Sequence, residues 1–567
     1  MGIFRHELVI VGAGVGGLYA LIRARRQGLD AVVLERGSDI GGTWYWNRYP
    51  GARCDVESFD YSFSFDEELQ QEWVWTEKYA GQPEILAYLH HVAERYGLRD
   101  GVRLQTNVQS ARWDEDALEW TVGTEDGDEY VAPMLIMATG VLSTPKIPDI
   151  PGIDDFRGEL YNSANWPAEG VDFAGKRVAV IGTGSTGIQI IPEAAKTAGR
   201  VYAMQRTPSY SLPAHNRPLT EADQQRVKGA YPDIRKRARA SMLGAFTDTF
   251  DRSALEVTAE EREAEYRRIY DYGSPMRFAS AFNDLITDDE ANRTARDFVD
   301  ARIAERVGDP EIAARVVPNG YALATRRLCI DTGYYETYRR ENVTLVDLRE
   351  EPLEAITETG IRTAKREIEL DMIVLATGFD AVTGTLRRLD IRGAAPSPGE
   401  EGLSLREKWD LSPDSWLGIM VHGFPNLFVV TGPGSPSVSA NMFLAIEQHV
   451  EFISDLIEDS RRRGDARIEP SAEAEAAWVA HVREVSDGTL FKDATSWYTG
   501  ANVAGKPRAV LQYLGGVGPY DDRLREEERA GYPGLERTPW GSRGPRAEDR
   551  GSEDHRNDKH RNEGVHA

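Results

Sequence analysis

Two glycine-rich runs carry the densest chemical signal in the chain. The first reads Leu8-Val-Ile-Val-Gly12-Ala-Gly14-Val-Gly16-Gly17, the second Val178-Ala-Val-Ile-Gly182-Thr183-Gly184-Ser185-Thr186-Gly187. Each follows a β-branched apolar run and opens onto helix-forming sequence. In that setting glycines let the backbone approach a pyrophosphate, and the helix start turns N–H groups and a positive dipole end toward it. The next apolar run after the first motif, Ala31-Val-Val-Leu, ends in Glu35, a carboxylate suited to the hydroxyls of an adenosine ribose. After the second motif, Val201-Tyr-Ala-Met-Gln ends in Arg206 and Thr207, a cation and a hydroxyl suited to a 2′-phosphate. These acceptors predict FAD on the first site and NADPH on the second.

The elements that must position these residues follow from periodicity. Two further apolar runs close on Ala-Thr-Gly, at Thr139-Gly140 and Thr377-Gly378, and read as the returning strands of two nucleotide domains. Val421–Pro433 reads as another buried strand running into a Gly/Pro/Ser-rich loop. The fold class is therefore α/β, with two Rossmann-like dinucleotide-binding domains. The expected partition is 1–142 with 380–520 for FAD and 143–215 with 326–379 for NADP. From 216 to 325 the pattern turns helical and charged, which predicts a helical insertion. Residues 521–567, rich in Arg, Asp, Glu and Gly, are expected to form a disordered tail.

Composition narrows the function. The 567 residues carry 67 Lys+Arg against 92 Asp+Glu, a formal net charge of -25. So acidic a chain repels phosphate backbones and anionic lipid, so neither nucleic acid nor a membrane is expected as a partner. Two cysteines, Cys54 and Cys329, provide no disulfide framework and suit a reducing cytoplasm. Their separation also lacks the close cysteine pair of a disulfide reductase. No Gly-x-Ser-x-Gly elbow and no metal-spaced His/Cys cluster appears, which argues against hydrolase and metalloenzyme chemistry. His90 and His91 adjoin on one predicted helix and point in different directions.

The run Gly42-Thr43-Trp44-Tyr-Trp-Asn-Arg-Tyr49-Pro50-Gly51-Ala-Arg-Cys54-Asp55 matches the GxWxxxx[F/Y]PGxxxD pattern of class B flavoprotein monooxygenases. Together with the paired glycine motifs, Asp371-x4-Ala-Thr-Gly378 and Ser496-Trp497-Tyr498-Thr499-Gly500-Ala501-Asn502, it resembles the Baeyer–Villiger monooxygenases over about residues 5–520. The phenylacetone, cyclopentanone and steroid monooxygenase branch is the most similar. The family fingerprint FxGxxxHxxxW[P/D] reads Phe156, Gly158, Asn162, Trp166 and Pro167 here, with Asn162 standing where the family has histidine. Asparagine can hydrogen-bond but carries no charge near neutral pH.

The resemblance implies an FAD enzyme in which NADPH and O2 yield a C4a-peroxyflavin that attacks a ketone and leaves an ester or lactone. It places Arg327 as the active-site arginine, with Leu328 after it in place of the common proline, and Asp55 as the carboxylate orienting it. Gly42, Thr43, Trp44, Asp55 and Tyr61 are placed at the FAD; Arg326 is placed at the 2′-phosphate and Trp497 at the nicotinamide-side ribose. By the same resemblance Ser437, Val438, Ser439 and Met442 are expected to line a pocket for a hydrophobic ketone. The expected state is a monomer or weak homo-oligomer. Oxygenation of sulfur or nitrogen, and an uncoupled NADPH oxidase or redox sensor suggested by Asn162, remain as alternatives.

Overall fold

The computed structural model describes residues 2–246, 251–395, 397, 400–501 and 508–540. Two five-stranded parallel sheets organise it. The first runs in the order Leu427–Val429, Met134–Met137, Leu8–Val11, Ala31–Leu34 and Val102–Arg103. The second runs Val343–Asp347, Arg200–Gln205, Arg177–Ile181, Met372–Leu375 and Glu159–Asn162. Leu8–Val11, Met134–Met137 and Met372–Leu375 are buried at every residue, as strands covered on both faces require. In each sheet the strand carrying the glycine motif is central. Its turn therefore opens at the carboxyl edge, where ligands bind in such folds.

Both expected helices follow the turns, Val15–Arg26 and Ser185–Thr197. The long helix Met442–Arg463 packs on Val15–Arg26 and completes the first core. A mixed sheet, Ile3–Arg5, Glu129–Ala132, Glu119–Thr124, Val108–Asp114 and Asp390–Arg392, covers the other side of the first sheet.

The described residues of 216–325 form the helices Glu221–Ala240, Ala259–Tyr272, Pro275–Ala279, Asp289–Val307 and Pro310–Val316. Thr220 and Thr258 start two of them with reciprocal capping boxes. Tyr266, Ile269, Phe298, Val299 and Ile303 join the core of the second sheet.

The tail expectation fails for 521–540. Val517–Arg529 is a helix whose Val517, Tyr520 and Leu524 are buried, and Leu535–Pro539 pairs antiparallel with Asp465–Pro470. A charge-rich composition hid one apolar helical face, at i, i+3 and i+7. The helix pairs its charges along its other positions, Arg523 with Glu527 and Arg525 with Glu528. Residues 541–567 lie outside the described residues. No described helix is long and apolar enough to cross a membrane.

Candidate functional site

Both glycine turns have the shape a dinucleotide needs. Gly12 takes φ +103°, where a Cβ would stand 2.6 Å from the Ala138 carbonyl oxygen; a Cβ on Gly17 would meet the Gly12 oxygen at 1.8 Å. The second turn repeats this, with Gly182 at φ +110° and a Gly187 Cβ 2.0 Å from the Gly182 oxygen. Neither helix start, Gly14 or Gly184, has a side-chain cap, so first-turn N–H groups are left for a ligand. Gly184 faces open space, while Gly14 faces Gly42, whose Cβ would come 2.7 Å from the Gly14 Cα. Gly16 packs beside Val430.

Glu35 is buried, and its two oxygens accept from the N–H groups of Ala13 (2.8 Å) and Gly37 (2.7 Å), which fixes the carboxylate beside the first turn with lone pairs to spare. Thr43 and Trp44 begin the short helix Thr43–Trp46; the Trp44 indole donates to the Tyr61 hydroxyl at 3.1 Å, and both rings are buried.

At the second turn, Arg206 is exposed at the strand end and Thr183 hydrogen-bonds toward the Thr207 carbonyl at 3.4 Å. Arg326 donates to the Thr495 carbonyl at 2.6 Å and lies over the Tyr321 ring, with its Nε buried and without a partner. Burial, and further the charge of Arg206, lower the Arg326 guanidinium below its ordinary range. Lys146, which sequence reasoning missed, is lowered in the same way by burial and by Arg206. Its backbone is pinned to Gly378 (2.9 Å) and Thr377 (2.6 Å), just past the end of the strand neighbouring the motif. Like charges gathered at one sheet edge, with a buried orphan donor among them, fit a phosphate dianion. The half-buried Trp497 packs against Tyr498 with ring centroids 4.3 Å apart.

The two halves are joined by the tryptophan motif. Tyr49 donates to the Gln189 side chain at 3.0 Å, and Gly51, at φ +80°, lies where a Cβ would strike the Gln189 carbonyl oxygen. Across this junction Arg327 forks onto Asp55, with Nε to Oδ2 at 2.7 Å and Nη2 to Oδ1 at 2.5 Å; Nη1 donates to the Val438 carbonyl at 2.7 Å. Burial alone would depress the guanidinium, but the Asp55 charge outweighs it and holds Arg327 well above its ordinary range. The pair keeps 23% and 17% of its side-chain surface, enough to face a cavity.

That cavity, of about 100 Å³, is walled by Met242, Met276 and Ile286 of the insertion and by Phe491, Tyr498 and Leu514, with Arg327 on its floor. Of the four expected pocket residues only Ser439 lines it. Val438 instead gives its carbonyl to Arg327, Ser437 is fully buried, and Met442 packs behind as the first residue of the long helix. The missing wall comes from apolar residues of the insertion, Met242, Leu243, Met276 and Ile286, set in charged sequence that gave no signal of a pocket.

In the fingerprint segment, Gly158 is required because a Cβ would sit 2.6 Å from the Asp371 carbonyl oxygen. Asn162 ends an edge strand and caps the following turn, its Oδ1 accepting from Ala164 N–H at 2.9 Å. Trp166 is buried against Tyr161 and Phe173; Phe156 packs under the second sheet; Pro167 closes the turn through Gly170. Cys54 and Cys329 are both buried and free.

Two dinucleotide folds joined over a fixed arginine and an apolar cavity define a flavin- and pyridine-nucleotide-dependent monooxygenase. A family model described as pyridine nucleotide-disulphide oxidoreductase matches residues 9–265, the part holding both glycine turns. The chain is 40% identical over 534 residues to acetone monooxygenase (methyl acetate-forming) of Gordonia sp. (strain TY-5), covering 93% of this chain and 98% of that one. It is 40% identical over 533 residues to cyclohexanone 1,2-monooxygenase of Acinetobacter sp., covering 94% and 96%. An oxidized steroid monooxygenase bound to NADP superposes with a TM-score of 0.89 at 48% identity, covering 94% of this chain and 99% of that one. The chain belongs to the Baeyer–Villiger monooxygenases, enzymes of FAD and NADPH.

Proposed function

We propose that this protein converts a neutral, apolar ketone to an ester or lactone, using NADPH and dioxygen. Bound FAD supplies the chemistry that carries electrons from NADPH to dioxygen and activates it for insertion. In this reading Gly12, Gly14, Gly16, Gly17, Glu35, Gly42, Thr43, Trp44 and Tyr61 hold FAD against the first sheet. Gly182, Thr183, Gly184, Ser185, Thr186, Gly187, Arg206, Thr207, Arg326 and Trp497 hold NADPH against the second.

The observation that carries the proposal is the Asp55–Arg327 fork at the floor of an apolar cavity. Attack on a ketone carbon moves negative charge onto the carbonyl oxygen, and a cation already fixed by protein oxygens stabilises it without reorganising. Asp55 sets the orientation of that cation. The apolar walls admit hydrocarbon and exclude the water that would compete for activated oxygen. An enzyme that oxygenates soft sulfur or nitrogen has no carbonyl oxygen to stabilise, so the fork favours the ketone.

The test uses the holoenzyme with NADPH in air and cyclohexanone, followed by gas chromatography. The expected result is ε-caprolactone at close to one per NADPH consumed. Hydrogen peroxide alone, with cyclic, methyl and aryl ketones alike, overturns the reading, as does sulfoxide from thioanisole with no ester from any ketone.

A further inference from the structure

Tyr498 is a further polar group in the cavity wall. It sits in the turn Trp497–Thr499, started by a capping box at Ser496, and its carbonyl accepts from Leu511 N–H at 3.0 Å. Its ring is clamped by Trp497 and Phe491, with centroids 4.3 and 5.9 Å away, and packs with Val438, the residue whose carbonyl holds Arg327. The side chain is 3% exposed, and what surface it keeps faces the cavity. Its position is therefore as fixed as that of the arginine.

The Tyr498 hydroxyl lies near enough to the Arg327 guanidinium to feel its charge, and both residues line the cavity. Arg327 keeps N–H groups free after its bonds to Asp55 and Val438. Among the described residues the phenol O–H meets no acceptor of its own. The other cavity hydroxyls are engaged: Ser439 donates to the Pro436 carbonyl (2.6 Å), Ser280 to the Met276 carbonyl (2.9 Å), and Tyr513 pairs with His481 (3.3 Å). Burial pushes the phenol up to about 12, so the proton stays on it at any working pH.

We propose that the Tyr498 hydroxyl, which shares the cavity with Arg327, donates a hydrogen bond to the carbonyl oxygen of the bound ketone. This deepens the ketone reading and rests on it. The proton is shared and not transferred. As charge grows on the carbonyl oxygen, the phenol and the guanidinium meet it together, the donor set of an oxyanion hole. A donor that acts on developing charge shows in kcat more than in KM.

The test compares the wild-type holoenzyme with Tyr498→Phe, which keeps the ring and its packing. Three quantities are read: kcat and KM for ester formation, hydrogen peroxide per NADPH, and the anaerobic rate at which NADPH bleaches the flavin absorbance. Loss of one oxyanion donor costs roughly a hundredfold in rate, and with Arg327 retained a fall of roughly ten- to a hundredfold in ester-forming kcat is expected. KM should change by less, and peroxide should rise in place of ester. Ester kcat within about twofold of wild type overturns the proposal. So does an equal fall in the bleaching rate, which would make Tyr498 a packing element. If the wild type forms no ester from any ketone, the ketone reading itself falls and takes this inference with it.

Discussion

Arg206 and Arg327 are both cations at strand ends or their continuations, yet their surroundings give them opposite tasks. Arg327 spends three bonds on Asp55 and Val438, so it cannot follow a ligand and acts through a charge fixed in place. Arg206 stands exposed, with Lys146 and Arg326 close enough that its charge lowers both. Such mutual repulsion is relieved when a doubly charged phosphate arrives between them. Replacing Arg206 by Ala removes the exposed member of the group while Arg326 stays anchored on Thr495. The KM for NADPH is expected to rise about tenfold, close to one charge-assisted hydrogen bond. NADH, which lacks the 2′-phosphate, should be used as before. Steady-state rates with both cofactors check this, and equal losses for the two would take Arg206 away from the phosphate.

At the scale of elements, the strand–turn–helix units separate glycines needed by the fold from one needed by a ligand. A Cβ at Gly187 would collide with the Gly182 carbonyl, whereas Gly184 has ordinary extended backbone (φ -80°) and nothing within 4 Å of its missing side chain. Gly184→Ala should therefore leave the melting temperature within about 2 °C, since no native contact is strained. It should still raise the dissociation constant for NADP+ at least about fivefold by filling the space over the uncapped helix start. Calorimetric titration and a thermal melt read the two effects separately; tight NADP+ binding by the variant would move the pyrophosphate elsewhere. These units were legible in the sequence because they rest on local periodicity, as were the Ala-Thr-Gly strand ends. The helix Val517–Arg529 was not: its apolar face is three residues among pairs such as Arg523–Glu527 and Arg525–Glu528. Nor could spacing place Tyr49 on Gln189 or bring Tyr498 and Arg327 to one cavity, because those segments lie far apart in the chain.

The whole molecule depends on how the helical insertion sits on the first domain, and that seam carries charges of both signs. Asp60 and Glu447 line a second cavity of about 240 Å³ there, together with Ser62, Ser64, Arg235, Lys236 and Arg239. Glu447 accepts from Ser64 N–H (2.6 Å), Ser64 Oγ–H (2.5 Å) and Phe65 N–H (3.1 Å), which favours its charge. Burial, and then the neighbouring Glu451, nevertheless push it from an ordinary 4.5 up to about 7. Asp60 is raised to about 6, mainly by burial, although Arg235 opposes the rise. Between the two values for Glu447 the unfolded chain has released its proton while the folded protein retains it. The folded state then binds more protons, so stability falls as pH climbs from about 4.5 to about 7 and stays lower beyond. Glu447→Gln keeps an oxygen for the two backbone N–H groups and removes this titration. The variant should melt close to wild type at pH 5 and several degrees above it at pH 8, the gap opening mainly between. Melts followed by circular dichroism across that range decide the matter. A gap that does not change with pH would mean that Glu447 is already charged in the folded protein and that the seam is held by its hydrogen bonds alone.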